Sequence, residues 1–271
     1  MADLPIGVFD SGIGGLTVLR ALERELPDEE FLYLGDTARL PYGTKTAQTV
    51  ERYALQAGGE LVRRGIKCLV VACNTASSAA LPALRAAFPT LPVLGVIDPG
   101  AFAAVQASRA GRIGVLATEA TVRSGAYERA IRGLRPDARV SSVAASLFVA
   151  LAEEGWTEGE VATPTARRYL GDLQALAGDV DTLVLGCTHF PPFVPLLRSL
   201  LPADCAIVDS AATTAIAVRQ RLADSPRTAA PGPLRLLATD GIERFARVGA
   251  RFLGRPIGEA QVERVDLTVV V

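Results

Sequence analysis

Short runs that are apolar at every position recur along this chain, and each leads into a longer stretch with apolar residues at helical spacing. The expected strands are Ile6–Phe9, Phe31–Leu34, Cys68–Ala72, Val93–Ile97, Ile113–Ala117, Leu183–Leu185, Ile207–Val208 and Leu234–Leu237. Leu16, Leu19, Leu22 and Leu26 mark one of the helical stripes between them. A strand with no polar side must be covered on both faces, as in a parallel sheet flanked by helices. Alternation of such strands with helices therefore predicts an α/β fold with right-handed crossovers.

The pattern also repeats. Ile6-Gly7-Val8-Phe9 and Ile113-Gly114-Val115-Leu116 are similar strands 107 residues apart. Cys73 and Cys187 each end an apolar strand, 114 residues apart, and polar residues (Asn74-Thr75 and Thr188-His189) follow each one. Two motifs in the same order at nearly the same offset point to two related, pseudo-symmetric, doubly wound halves. A boundary is expected at Ile97-Asp98-Pro99-Gly100, where Pro and Gly punctuate a crossover. That gives a first α/β domain of residues 1–97 plus 210–271 and a second of 98–209, with the tail returning to complete the first half. Residues 224–233 read as a polar surface loop.

Composition narrows the function. A chain of 271 residues is long enough to bury its own core without a disulfide or metal. Its 28 basic and 29 acidic residues leave a net charge of −1, so there is no basic excess for nucleic acid. Mean hydropathy is +0.29, yet the apolar runs are far shorter than the about 20 residues of a membrane span. No secretory signal opens the sequence, so a cytoplasmic location is expected, with Cys68, Cys73, Cys187 and Cys205 as reduced thiols. The chain has one histidine, His189, and two lysines, Lys45 and Lys67.

In open α/β sheets, ligands bind at the carboxyl ends of the strands. Four segments put reactive side chains there: Asp10-Ser11-Gly12-Ile13-Gly14-Gly15; Asp36 through Pro41-Tyr42-Gly43; Cys73-Asn74-Thr75; and Cys187-Thr188-His189-Phe190-Pro191. The first is not a dinucleotide fingerprint, because the third glycine position is Thr17, and no Gly-Lys-Ser/Thr makes it a P-loop. It reads instead as a tight turn whose free N–H groups suit a small anion. Asp10 is either a plain helix cap or a site acid.

A thiol at a strand end beside a helix N-terminus has its thiolate favoured by the helix dipole, which predicts lowered pKa values for Cys73 and Cys187. Cys68 and Cys205 read as packing residues. Two thiols at equivalent points of facing halves suit proton removal from one face of a stereocentre and return to the other. His189, Asp10 and one of Glu153 or Glu154 could supply or withdraw protons near them, and His189 reads equally well as a helix-start residue with no catalytic role. No metal site is expected, because the Cys and His spacings do not match one. A hydrolase or transferase with Cys187 as nucleophile and His189 as base is an alternative, although residues two apart at a strand end point different ways. A non-catalytic anion-binding module is another.

Together the motifs Gly7-Val8-Phe9-Asp10-Ser11-Gly12-Ile13-Gly14-Gly15-Leu16, Gly35-Asp36 with Pro41-Tyr42-Gly43, Ala72-Cys73-Asn74-Thr75-Ala76-Ser77 and Gly186-Cys187-Thr188-His189-Phe190-Pro191 resemble the bacterial glutamate racemases over nearly the whole chain. Aspartate and hydantoin racemases share the two-cysteine scheme but are less similar in the opening segment. The resemblance implies two α/β domains with the active site in the cleft between them. It implies cofactor-independent interconversion of L- and D-glutamate, the latter for peptidoglycan. Cys187 would deprotonate L-glutamate and Cys73 would protonate the opposite face. Asp10 would assist near Cys73, and His189 and Glu153 near Cys187.

Substrate contacts carried over are Asp10, Ser11, Pro41, Tyr42, Gly43, Asn74, Thr75, Thr118, Thr121, Thr188 and His189. The sequence departs from the family at Asp98, often glutamate there, and at Ala145–Val149, which lacks the usual cysteine and proline. Homodimers are common in the family, although nothing in this sequence marks an interface. Some members carry an N-terminal extension tied to activation by a cell-wall precursor; none is visible here, so no such requirement is expected. Neither lysine sits in a cofactor motif, which independently argues against a pyridoxal-phosphate Schiff base.

Overall fold

The computed structural model describes residues 4–223 and 234–267. Strand β1 (Ile6–Asp10) turns into helix α1 (Leu16–Glu25) and strand β2 (Phe31–Gly35). Two 3-10 turns, Thr37–Arg39 and Tyr42–Thr44, precede α2 (Ala47–Arg63), β3 (Cys68–Val71), α3 (Asn74–Ala87) and β4 (Val93–Gly95). Then come α4 (Ile97–Ala107), β5 (Arg112–Ala117), α5 (Glu119–Ser124), α6 (Ala126–Leu134) and β6 (Arg139–Ala144). They are followed by α7 (Leu147–Glu154), α8 (Gly159–Ala177), β7 (Thr182–Gly186), α9 (Val194–Leu200) and β8 (Ala206–Asp209). The chain closes with α10 (Ser210–Arg221), β9 (Arg235–Ala238), α11 (Ile242–Leu253) and β10 (Val262–Arg264).

The strands form two sheets, ordered β10-β9-β2-β1-β3-β4 and β6-β5-β7-β8. Every pairing among the described residues is parallel. The expected α/β architecture of flanked parallel sheets is therefore present. The run β2-β1-β3-β4 has the same connectivity as β6-β5-β7-β8, and the register carries the correspondence to single residues. Ile6 of β1 lies opposite Cys68 of β3, and Ile113 of β5 lies opposite Thr182 of β7. Each of Cys73 and Cys187 is five residues past that opposite residue. The two thiols thus occupy matching points beyond matching strands.

Burial explains the helices. In α2 the residues Val50, Ala54, Ala57 and Leu61 recur at helical spacing and are fully buried, with Thr46 capping the first turn through Thr49 N at 3.3 Å. Burying each Val or Leu contributes about 1.5–3 kcal/mol. With α3 these residues cover the face of the first sheet that carries Phe9, Leu32 and Leu34. The other face, carrying Ile6 and Val8, shares one apolar cluster with α1, α10 and the second sheet. The tail returns to the first sheet, since β9 pairs with β2.

Two strands fall outside the sequence expectation, β6 and β10. Both are edge strands with polar residues, Arg139, Ser141 and Ser142 in β6 and Glu263 and Arg264 in β10, so neither is a wholly apolar run. Ile97-Asp98-Pro99-Gly100 forms the first turn of α4 rather than a loop, where a proline costs no hydrogen bond. The expected loop at 224–233 lies outside the described residues. Among the described residues no helix is long and apolar enough to cross a membrane.

Candidate active site

The carboxyl ends of β1, β2, β3, β5 and β7 converge on a cavity of about 280 Å³ between the sheets. That is just below the about 300–1,000 Å³ that holds drug-sized ligands, so a molecule of amino-acid size suits it. Both Cys73 and Cys187 line it, each 6% exposed. So do Ser11, Pro41, Tyr42, Gly43, Asn74, Thr75, Thr118, Glu153, Thr188 and His189. Two expected contacts, Asp10 and Thr121, sit buried behind the wall. Among the described residues no cluster of His, Cys, Asp and Glu is arranged to hold a metal ion.

The turn after β1 brings the two halves together. A Cβ on Gly14 would stand 2.3 Å from His189 Nδ1 and 2.5 Å from Thr188 Oγ1, so only glycine permits this approach. Thr17 Oγ1 donates to the Thr188 carbonyl at 3.0 Å across the same junction. Asp10 is the last residue of β1, not a helix cap; Gly15 caps α1, and Asp10 Oδ2 accepts from Gly12 N at 2.9 Å. Burial raises the Asp10 carboxyl, against the nearby His189 and backbone N–H groups that lower it.

Cys73 caps α3, its sulfur accepting from Ala76 N at 3.4 Å while its thiol donates to Ser11 Oγ at 3.4 Å. The expected lowering of this thiol does not occur. Burial, with Asp10 adding to it, pushes it up to about 12 and outweighs the contacts to Ser11 and Ala76 N. Asn74 is fixed by Tyr127 OH, which donates to Oδ1 at 2.7 Å. Thr75, Thr118 and Thr121 close a triangle of hydroxyls across the cleft, at 2.9, 3.0 and 3.2 Å. In the loop after β2, Tyr42 OH and Arg39 donate to the buried Asp36, and Thr239 donates to its other oxygen at 3.0 Å. Asp36 does not line the cavity; it anchors the loop that does.

Cys187 has different surroundings. No helix starts beside it, because Pro191 opens a 3-10 turn and α9 begins only at Val194. The helix-dipole expectation therefore fails here. The expectation that Cys187 and His189 diverge also fails: residues two apart in an extended strand share a face, and in the turn past Gly186 these two also approach each other. Sγ and Nδ1 are 3.9 Å apart. His189 Nε2 lies 3.0 Å from Glu153 Oε1, whereas Glu154 is half exposed and makes no such contact. Burial lowers the His189 imidazole, but its bonds to Cys187 and Glu153 override this and carry it up to about 10. Burial raises Glu153, and His189 and Arg244 more than reverse it, so its carboxyl lies below the usual range.

The wall also holds Ile13 and Leu40, which lie inside the first two segments, and residues the motifs did not mark: Thr44, and Ser146, Val149 and Ala150 from the start and face of α7. The last three stand seven, four and three residues before Glu153, so helical spacing from Glu153 was the available signal. Arg244, which meets Glu153 from α11, is far away in sequence and left none.

Comparison with known proteins gives the family. Residues 6–218 match the family model for Asp/Glu/hydantoin racemases. A glutamate racemase of Geobacter metallireducens is 49% identical over 257 residues, 94% of each chain. The crystal structure of a glutamate racemase isoform from Bacillus anthracis superposes with a TM-score of 0.92 at 36% identity, over 98% of this chain and 99% of that one. A Francisella tularensis glutamate racemase solved with D-glutamate gives a TM-score of 0.91 at 33% identity, over 98% and 99% of the two chains. With parallel sheets, paired strand-end thiols and a match over most of its length, this chain belongs to the Asp/Glu/hydantoin racemase family.

Proposed function

We propose that this chain is a cofactor-independent racemase that interconverts L- and D-glutamate with two thiols as its acid and base. The observation that carries this reading is the pair of cysteines at matching strand ends, lining one small cavity from its two sides. In the L-to-D direction the Cα–H bond breaks and its proton passes to the Cys187 thiolate. The electron pair left at Cα delocalises into the α-carboxylate. The Cys73 S–H bond then breaks as its proton forms the new Cα–H bond on the opposite face. This leaves D-glutamate with a Cys187 thiol and a Cys73 thiolate, the state from which the reverse reaction starts.

The surroundings of each thiol support these roles. Cys73 is held as a neutral thiol by burial and by Asp10, which suits a proton donor. Cys187 faces an imidazole that is itself held by Glu153, a relay able to take or return the sulfur's proton. Among the described residues the cavity wall has no lysine or arginine, so the two carboxylates of glutamate would be held by hydroxyls and backbone N–H groups. The first N–H groups of α3, beside Asn74 and Thr75, favour anionic oxygen and would stabilise the charge that builds up on the α-carboxylate. Ser11, Tyr42, Gly43 and Thr188 complete the set of contacts proposed for the substrate.

The D-glutamate formed would supply peptidoglycan synthesis in the cytoplasm. The domain reading is proposed unchanged, with residues 1–97 and 210–271 forming one unit and 98–209 the other. The test is to incubate the protein with L-glutamate in D2O, with no added cofactor, and follow the Cα proton by NMR alongside optical rotation. Loss of the proton signal with decay of rotation to zero is expected. A persistent signal with reduced thiols would sink glutamate as substrate.

A further inference from the structure

Helix α11 meets the Glu153–His189 pair at three points. Arg244 Nη2, in its first turn, lies 2.8 Å from Glu153 Oε2. Arg251, seven residues on and so on the same helical face, donates to the Glu153 carbonyl at 3.0 Å. The adjacent Phe252 sets its ring edge-on to the His189 imidazole, with 5.2 Å between centroids. Buried Phe245, Val248 and Leu253 fix this helix to the rest of the fold.

The contacts fill both oxygens of one carboxylate, Oε1 with His189 and Oε2 with Arg244. The Arg244 side chain is 47% exposed, and such a pair contributes little to stability. Its effect is orientation. With Oε2 pinned, Oε1 faces Nε2, which sets the imidazole plane and keeps Nδ1 toward Cys187. The ionisable groups around His189 are Cys187, Glu153 and Asp10, and Glu154 lies 3.8 Å from the same guanidinium.

We infer that Arg244 is a positioning residue for the Cys187 side of the cleft, acting through Glu153 and His189, so that the C-terminal helix sets the geometry of a base carried by the other sheet. The inference rests on the two-thiol reading above.

Arg244→Met and Arg244→Lys test it with two readouts. The chain has one histidine, so the imidazole NMR signals belong to His189 alone. Were Arg244 only a nearby cation, its loss would remove a repulsion and raise the His189 titration. If it positions Glu153, its loss frees the carboxylate and the titration falls toward the ordinary value of 6.5.

The second readout is the isotope effect on kcat/KM with α-deuterated L- and D-glutamate. A higher barrier at Cys187 makes that transfer limiting, so the effect rises for the L-isomer and falls toward unity for the D-isomer. In Arg244→Met, kcat/KM is expected to drop about tenfold, and in Arg244→Lys to recover to within about threefold. A His189 titration that stays or rises, or isotope effects that move together, would overturn the inference. Failure of the unaltered protein to exchange the glutamate Cα proton would overturn the racemase reading instead, and the imidazole titration would still judge Arg244.

Discussion

At the scale of single residues, the two thiols share a place in the fold and differ in their neighbours. Cys73 has a buried carboxylate nearby and Cys187 has an imidazole. Replacing either with serine keeps the volume but removes an acid–base group that works near neutral pH. Cys73→Ser and Cys187→Ser are each expected to slow racemisation by about 10²–10⁴-fold, read by polarimetry. A Cys187 hydrolase would survive the first change, and a binding module would survive both. Asp10 makes a further prediction. Its folded pKa is raised, so its contribution to stability is present below the ordinary value of 3.8 and is lost as pH rises through the folded value. Above the ordinary carboxylate range the buried Asp10 carboxyl therefore weighs against the fold. Asp10→Asn is expected to raise Tm, about 2–4 °C for each kcal/mol relieved, while activity falls. Calorimetry and the racemisation rate, measured on the same sample, check both.

Among the elements, the turns at the strand ends shape the cleft. The β1–α1 turn touches the Thr188–His189 turn with no room between them, and Gly43 meets Thr118 with its Cβ position 2.8 Å from the threonine Cβ. Gly14→Ala must displace the His189 ring or the turn itself. An overpacking cost of about 1–3 kcal/mol is expected, with a shift of the His189 imidazole signals and loss of activity. Stability unchanged and the imidazole spectrum intact would show that the junction gives way. The Thr75–Thr118–Thr121 triangle spans the same cleft from the other end, so its hydroxyls serve both as clasp and as wall.

For the whole molecule, the Glu153–His189 pair gives a pH signature. His189 is raised from 6.5 to about 10, so its part of the stabilisation is complete below 6.5 and is lost as pH rises through about 10. Glu153 is lowered from 4.5, so its part is complete above 4.5 and is lost as pH falls through the folded value. Both are fully present only between pH 4.5 and 6.5. The Tm difference between the unaltered protein and Glu153→Gln is therefore expected to be largest in that window and to shrink on either side. A pH-independent difference would mean that the pair is not charged as described.

The sequence by itself determined the parallel α/β architecture, because strands apolar on both faces leave no other way to be covered. It also determined which cysteines take matching places, since a repeat in connectivity is a repeat in sequence order: Ile6 and Cys73 correspond to Ile113 and Cys187. What it could not determine depends on neighbours distant along the chain. The edge strands β6 and β10 carry polar residues because one side faces away from the core, which hides them from a search for apolar runs. The raised Cys73 thiol follows from burial beside Asp10, although its local signal, a helix N-terminus, pointed the other way. Arg244 reaches Glu153 from 91 residues away. Pattern along a chain fixes which surfaces must be buried; only the packed structure fixes which charges and dipoles are buried together, and that is what sets how tightly each group holds its proton.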